Sequence, residues 1–203
     1  MQKRLTIRDI RKKADDGGKL SMVTAYDAFA ARLIDRAGVD IALVGDSVGT
    51  TVQGRPDTLG VEMQHMLYHT EIVARCTRHA LVVGDMPFGS YQLNQDQAIA
   101  NAVAFLKAGA NAVKLEGGKP VLALIERMTE VGIPVMGHLG FTPQSIHQTS
   151  GPRLNKDKAE LLEEAESLQD AGVFALVLEM VPAQIAKEVS AAIEVPTIGI
   201  GAG

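Results

Sequence analysis

The sequence contains one cysteine, no apolar run as long as a membrane span, and no strong excess of charge of one sign. Cys76 cannot form a disulfide within the chain. We expect a buried thiol and not a nucleophile. The apolar runs fall well short of the roughly 20 residues that cross a bilayer. The N-terminal segment is charged and has no apolar centre, so it is not a secretory signal. These absences predict a cytoplasmic protein.

The charge and size of the chain limit the function classes further. A formal net charge of −4, with both signs mixed along the sequence, gives no electrostatic footprint for nucleic acid or for a membrane surface. The 203 residues are 46% hydrophobic and 22% charged, which is ordinary for a globular protein with a substantial core. No linker-like segment interrupts them. We therefore expect residues 1–203 to form one domain.

Short apolar runs alternate with stretches of helical character along the chain. Glycine stands directly before several of the runs, where the end of a helix favours a left-handed residue. This alternation is typical of βα units and a parallel sheet. The predicted strands lie near 20–26, 40–46, 80–86, 111–116, 133–138, 173–179 and 195–200, and the predicted helices near 28–37, 63–78, 94–108, 119–131, 157–171 and 183–193. A further short helix is expected to begin near Thr6, whose hydroxyl can cap it.

The pattern predicts an α/β fold of the (β/α)8 TIM-barrel type. Such a barrel has eight strands and typically about 250 residues. The seventh run is followed here only by a few glycine-rich residues. We therefore expect a single barrel domain that lacks the eighth strand and the terminal helices. The longest stretch without a helix or strand pattern, 140–155, follows the fifth run and is a candidate active-site loop.

Acidic residues end four of the apolar runs: Asp46, Asp85, Glu116 and Glu179. In a parallel barrel the C-terminal ends of all strands open on one face, so these carboxylates are expected to converge there. They would repel one another unless a cation lay among them, and a divalent ion with oxygen ligands is the simplest solution. Asp46 and Asp85 are the first candidates for metal ligands, although each could instead cap the helix or turn that follows. Glu116 could complete the site directly or through water.

Three further residues could take part in chemistry. Lys114 lies two residues before Glu116 and therefore on the same strand face, where it could bind an anionic substrate or form a structural ion pair. His138 ends the fifth run, and a supporting or packing role is as probable for it as a catalytic one. Glu179 follows an almost wholly apolar run, which suits a general base working near neutrality. An exposed strand-end glutamate is the alternative.

Seven segments resemble the ketopantoate hydroxymethyltransferase family, in the order in which the family carries them. They are 22–27, 43–47, 84–88, 113–117, 137–144, 175–179 and 196–203. Family members usually carry a Gly-Gly-Tyr-Lys-Val-Gln-Gly type stretch after the fifth strand, whereas residues 147–156 are shorter and different here.

The resemblance implies a function and a role for each candidate residue. Family members transfer a hydroxymethyl group from 5,10-methylenetetrahydrofolate to 3-methyl-2-oxobutanoate through a magnesium-stabilised enolate, forming 2-dehydropantoate. They are TIM barrels that assemble as homo-oligomers, often decamers. The implied roles are magnesium and keto-acid binding for Asp46 and Asp85, keto-acid binding for Ser47 and Lys114, metal binding for Glu116 and proton acceptance for Glu179. Two alternatives stay open: a lyase of the phosphoenolpyruvate mutase and isocitrate lyase type, and a non-catalytic fragment that binds keto acid.

Overall fold

Parallel strands alternate with helices throughout the part of the chain that the computed structural model describes, residues 4–149 and 157–202. The chain divides into two compact units, Met1–Lys114 and Leu115–Gly203. Within each unit, every strand pairs in parallel with the next strand along the chain. The α/β class with parallel strands in chain order, as in a (β/α) barrel, is therefore confirmed.

The first unit holds strands β1 to β4 and the helices that connect them. In chain order its elements are α1 (Ile7–Asp15), β1 (Met22–Thr24), α2 (Ala28–Arg36), β2 (Ile41–Val44), α3 (Val48–Thr51), α4 (Met63–Cys76), β3 (Leu81–Asp85), α5 (Gln95–Lys107) and β4 (Ala112–Lys114). All residues of β2 and β3 are buried, as expected for parallel strands that helices cover. The ring of Phe105 packs so closely on β3 that a Cβ at Gly84 would lie 2.3 Å from it.

The second unit holds β5 to β7. Its elements are a 3-10 turn (Lys119–Val121), α6 (Leu122–Glu130), β5 (Val135–Gly140), a second 3-10 turn (Pro143–Ser145), α7 (Ile146–Thr149), α8 (Lys158–Asp170), β6 (Ala175–Glu179), α9 (Ala183–Ala192) and β7 (Thr197–Ile200). Strand β6 is buried up to its last residue, whereas β7 is half-exposed and ends on the exposed Ile200.

Four helices end in the junction that the sequence predicts. Glycine adopts a positive φ at each, between 74° and 102°, and the next residue donates its N–H to the carbonyl five residues back. In the first junction Val39 donates to Ile34 at 3.2 Å. These hydrogen bonds give partners to carbonyl groups at the C-terminal end of the helix that no helical N–H reaches. The glycines are Gly38, Gly109, Gly132 and Gly172.

Some expectations differ from the structure. The stretch 140–155 is not irregular throughout, because Pro143 places a 3-10 turn at its start and α7 follows. Most of the altered segment 147–156 lies outside the described residues. Cys76 is half-exposed and not buried, since it is the last residue of α4, beside the exposed Arg75 and Arg78. Among the described residues no helix is long and apolar enough to cross a membrane.

Candidate active site

A buried ion pair joins the C-terminal ends of β3 and β4. Asp85 and Lys114 are register partners, so their side chains lie on the same face of the sheet. Lys114 Nζ lies 2.7 Å from Asp85 Oδ1, and the two side chains are only 5% and 3% exposed. The other oxygen, Oδ2, accepts the backbone N–H of Asp46 at 3.2 Å. Asp85 is thus held from both sides, and Asp46 is its neighbour at the end of β2.

Neither aspartate caps the helix that follows it. Ser47 is the N-cap residue of α3, and Asn94 is the N-cap residue of α5, where its side chain accepts from the N–H of Gln97. Asp46 is buried in the turn before α3. The N-cap positions of these two helices are therefore held by other residues.

The Ser47 hydroxyl is fixed by a tyrosine that sequence reasoning missed. Tyr26 Oη lies 2.7 Å from Ser47 Oγ, and the Tyr26 carbonyl lies 2.6 Å from His69 Nδ1. A Cβ at Gly45 would lie 2.7 Å from Ser47 Oγ, so the turn requires glycine there. Tyr26 falls within the segment 22–27 that carries the family resemblance, and that was the available signal.

In the second unit, His138 on β5 lies between two glutamates. Its Nδ1 is 3.4 Å from Glu116 Oε1, and its Nε2 is 3.3 Å from Glu179 Oε2. His138 and Glu116 are buried, whereas the side chain of Glu179 is 22% exposed. Glu116 also accepts the backbone N–H of Gln144 at 3.1 Å, a contact that no sequence pattern indicated. The carboxylate of Glu179 therefore lies close to a ring nitrogen and keeps some access to solvent.

The backbone around Glu179 is tightly constrained. Gly140 is its register partner, and a Cβ there would lie 2.2 Å from the Glu179 carbonyl oxygen. That oxygen accepts the N–H of Phe141 at 2.8 Å. The next residue, Met180, has φ of 51°, a left-handed conformation that costs energy outside glycine. Strain of this kind is concentrated at functional sites.

Comparisons with known proteins decide the family. The profile of the ketopantoate hydroxymethyltransferase family matches residues 4–203. The chain belongs to the ketopantoate hydroxymethyltransferase family. It is 53% identical to a 3-methyl-2-oxobutanoate hydroxymethyltransferase of Ignicoccus hospitalis, over 99% of this chain and 78% of that protein. It is 49% identical to the enzyme of the same name from Acidothermus cellulolyticus, over 99% of this chain and 76% of that one. Membership of a transferase family, which the resemblance implied, is confirmed.

Solved structures share the fold at low sequence identity. A phosphonopyruvate hydrolase in complex with oxalate and Mg²⁺ superposes with a TM-score of 0.74 at 15% identity, covering 97% of this chain and 72% of that one. A 2,3-dimethylmalate lyase of the phosphoenolpyruvate mutase and isocitrate lyase superfamily gives a TM-score of 0.68 at 17% identity, covering 96% and 72%. At this identity the likeness concerns the fold alone.

The residues predicted for a ketopantoate hydroxymethyltransferase form two groups in the structure. Asp46, Ser47, Asp85 and Lys114 belong to the first unit, and Glu116, His138 and Glu179 belong to the second. Each group is linked internally by the contacts given above. The catalytic, substrate-binding and metal-binding roles of these residues remain predictions.

Proposed function

We propose that this chain transfers a hydroxymethyl group from 5,10-methylenetetrahydrofolate to 3-methyl-2-oxobutanoate and releases 2-dehydropantoate. Family membership supports the reaction class. The buried Asp85–Lys114 ion pair, with Asp46 next to it, is the main support for assigning the substrate and metal site to these residues. At the ends of two neighbouring strands, the negative charge of Asp85 would bind a metal ion. The positive charge of Lys114 would bind an anionic keto acid.

The donor set fits a magnesium ion. Asp46 and Asp85 are buried, and the backbone N–H of Asp46 donates to the Asp85 carboxylate. Carboxylate oxygens are the ligands that Mg²⁺ prefers. Among the described residues no group of three His, Cys, Asp or Glu side chains forms a ready ligand set. Magnesium commonly keeps several waters and takes only one or two protein carboxylates, with Glu116 as the third member directly or through water. When bound, the ion polarises the keto carbonyl of the substrate.

Two side chains of the first unit would bind the keto acid. The Lys114 ammonium offsets the negative charge of the substrate and of the developing enolate. The Ser47 hydroxyl, which Tyr26 orients, hydrogen-bonds to the substrate. Because both groups are already held in place by protein contacts, little reorganisation is needed when the substrate arrives.

Glu179 would act as the general base. It accepts the proton from C3 of the keto acid, and the electron pair of the broken C–H bond moves towards the keto oxygen. The enolate carbon then attacks the methylene carbon of the folate, forming a C–C bond as the first C–N bond breaks. Water supplies the hydroxyl group to that carbon as the second C–N bond breaks. The proton from C3 and one proton from water go to the two folate nitrogens, which leaves tetrahydrofolate. His138, whose Nε2 lies 3.3 Å from Glu179 Oε2, would help to position this carboxylate.

The experiment follows the transferred carbon. The protein is incubated with magnesium, 3-methyl-2-oxobutanoate and methylenetetrahydrofolate labelled in the methylene group, and the product mass is measured. We expect one labelled carbon in 2-dehydropantoate, and no product after complete removal of divalent metal. Metal-independent turnover would contradict the proposal. Cleavage of isocitrate-like acids instead of carbon transfer would favour the lyase alternative.

A further inference from the structure

A cavity of about 510 Å³ lies in the first unit, between the segment that follows α3 and the loop that follows β3. Its size is within the range of small-ligand sites. We propose that it binds the pterin and aminobenzoate rings of the reduced folate. This inference rests on the proposed function, which requires a folate but assigns it no place. Pro87, which lines the cavity, follows the proposed metal ligand Asp85 by two residues in the chain.

Phe88 gives the cavity an aromatic platform. The N–H of Ser90 donates to the Pro87 carbonyl at 3.0 Å, and Gly89 has φ of 83° at the third position of this turn. These features define a type II turn, which fixes the residue at its second position. That residue is Phe88, whose side chain is 47% exposed. The N–H of Gly89 donates to Gln92 Oε1 at 2.7 Å and holds the turn further. An aromatic ring presented on a rigid turn suits stacking against a flat heterocycle.

The remaining walls combine apolar and polar groups. Leu59, Val61 and Met63 supply apolar surface. Ser90 is 5% exposed, lines the cavity, and its Oγ has no hydrogen-bond partner among the described residues. A buried hydroxyl without a partner is unfavourable, so a ligand rich in nitrogen and oxygen atoms would supply what the protein does not.

A carboxylate at the rim matches one edge of the pterin. Glu62 lines the cavity and is exposed. The pyrimidine ring of a pterin carries a ring N–H beside an exocyclic amino group, and a carboxylate can accept both hydrogen bonds at once. Asn101 of α5 also lines the cavity, and its Nδ2 donates to the Ser90 carbonyl at 2.7 Å. The cavity thus has a stacking surface, a buried hydroxyl and an edge acceptor, the set that a 2-amino-4-oxo heterocycle requires.

The test separates folate binding from keto-acid chemistry. Tetrahydrofolate binding is measured by calorimetry for wild type, Phe88→Ala and Ser90→Ala, with Phe29→Ala as the matched control. Phe29 is 77% exposed on α2 and does not line the cavity. Loss of one aromatic contact should weaken binding by roughly threefold to tenfold in Phe88→Ala. Ser90→Ala should weaken it by a few-fold, as expected for one hydrogen bond, and Phe29→Ala should bind normally.

A second measurement distinguishes a cavity that does not bind folate from a chain that does not have the proposed function. Exchange of the C3 proton of 3-methyl-2-oxobutanoate, followed without folate, depends on the keto-acid site alone. We expect Phe88→Ala to lower the affinity for tetrahydrofolate by a larger factor than it lowers the rate of proton exchange. Unchanged tetrahydrofolate affinity in both cavity variants, or an equal loss in Phe29→Ala, would overturn the inference. Absence of exchange in the wild type would instead count against the proposed function, while the calorimetry would still decide the cavity.

Discussion

The Nζ atom of Lys114 lies 2.7 Å from Oδ1 of Asp85, and both side chains are almost completely buried. Removing two such charges from water is costly, and their attraction offsets that cost only when further hydrogen bonds satisfy them. The N–H of Asp46 provides one of these on Asp85 Oδ2. A protein gains little stability from a pair of this kind over an apolar pair, so its presence at two strand ends favours a role in binding.

Replacing Lys114 should reveal how strongly the pair is coupled. Lys114→Met leaves the Asp85 carboxylate buried without its cation, which should lower the free energy of unfolding by roughly 3 kcal/mol or more. The control is Lys12→Met, because Lys12 pairs with Asp16 on the surface, with side chains 72% and 64% exposed. Exposed pairs contribute at most about 1 kcal/mol. Urea unfolding of both variants measures the difference, and equal losses would show that burial does not strengthen the pair.

Asp85→Asn should weaken metal and keto-acid binding together. The amide keeps the shape of the side chain but loses the charge that both Mg²⁺ and Lys114 contact in the proposed site. We expect affinities to fall roughly tenfold or more, as for loss of a charged hydrogen-bonding partner. Calorimetric titration with Mg²⁺ in the presence of 3-methyl-2-oxobutanoate measures this, with the exposed Asp96→Asn as control. Normal magnesium affinity in Asp85→Asn would remove Asp85 from the ligand set.

Gly140→Ala should displace the candidate base. The new Cβ would lie 2.2 Å from the Glu179 carbonyl oxygen, at a φ of 97° that alanine disfavours. Gly132→Ala is the matched control, because its φ is 83° and no atom lies within 4 Å of the added Cβ. The control should lose about 1–2 kcal/mol from the backbone conformation alone. Gly140→Ala should lose more stability and also slow C3 proton exchange. Equal stability and normal exchange would contradict a role for Gly140 in holding Glu179.

The structure also predicts where Asp40 affects acid stability. Burial raises the pKa of Asp40, but Lys13 Nζ at 2.7 Å and the N–H and hydroxyl of Ser21 at 2.8 Å lower it, and the net pKa lies below its ordinary value. A carboxyl whose folded-state pKa is depressed stabilises the fold fully above its unfolded-state pKa, near about 4. That contribution disappears as the pH falls through the lower, folded-state pKa.

Asp40→Asn should therefore be less stable than wild type by about 1–2 kcal/mol at pH 7, with the difference shrinking below about pH 4. Thermal unfolding between pH 2.5 and 7 measures both curves. Asp16→Asn, in the exposed pair with Lys12, should change little across this range. If the stability difference between Asp40→Asn and wild type grew as the pH fell, the folded-state pKa of Asp40 would not be depressed, and the account would be wrong.

Much of the fold was predictable because local chemistry repeats along the chain. Glycine in the left-handed region and a following apolar run mark four helix–strand junctions, and the structure places a helix end and a strand at each. The short helices α3 and α7 were missed, since four residues carry too little periodicity to be recognised. Strand ends shifted by one or two residues, because strand pairing decides them and the local pattern does not.

The charged residues of the candidate site could be predicted from the sequence, but the residues that hydrogen-bond to them could not. Acidic residues at strand ends stand out in the sequence. Asp85 and Glu179 are the last residues of β3 and β6, whereas Asp46 lies two residues beyond the end of β2. The Tyr26–Ser47 contact joins residues 21 positions apart, and no spacing rule indicates such a pair. The N–H of Gln144 on Glu116 depends on the conformation of the 3-10 turn. Contacts of this kind depend on tertiary packing, which cannot be deduced from a single sequence.

The most direct test is the exchange of the C3 proton of 3-methyl-2-oxobutanoate for deuterium, followed by NMR with magnesium present. Glu179→Gln nearly preserves volume and keeps hydrogen bonding, but it removes the base, while Asp46, Asp85 and Lys114 remain to bind metal and substrate. We predict near-normal keto-acid affinity and an exchange rate lower by roughly 10²–10⁴-fold than that of wild type. Near-normal exchange in Glu179→Gln would contradict the account, and His138 would become the candidate base.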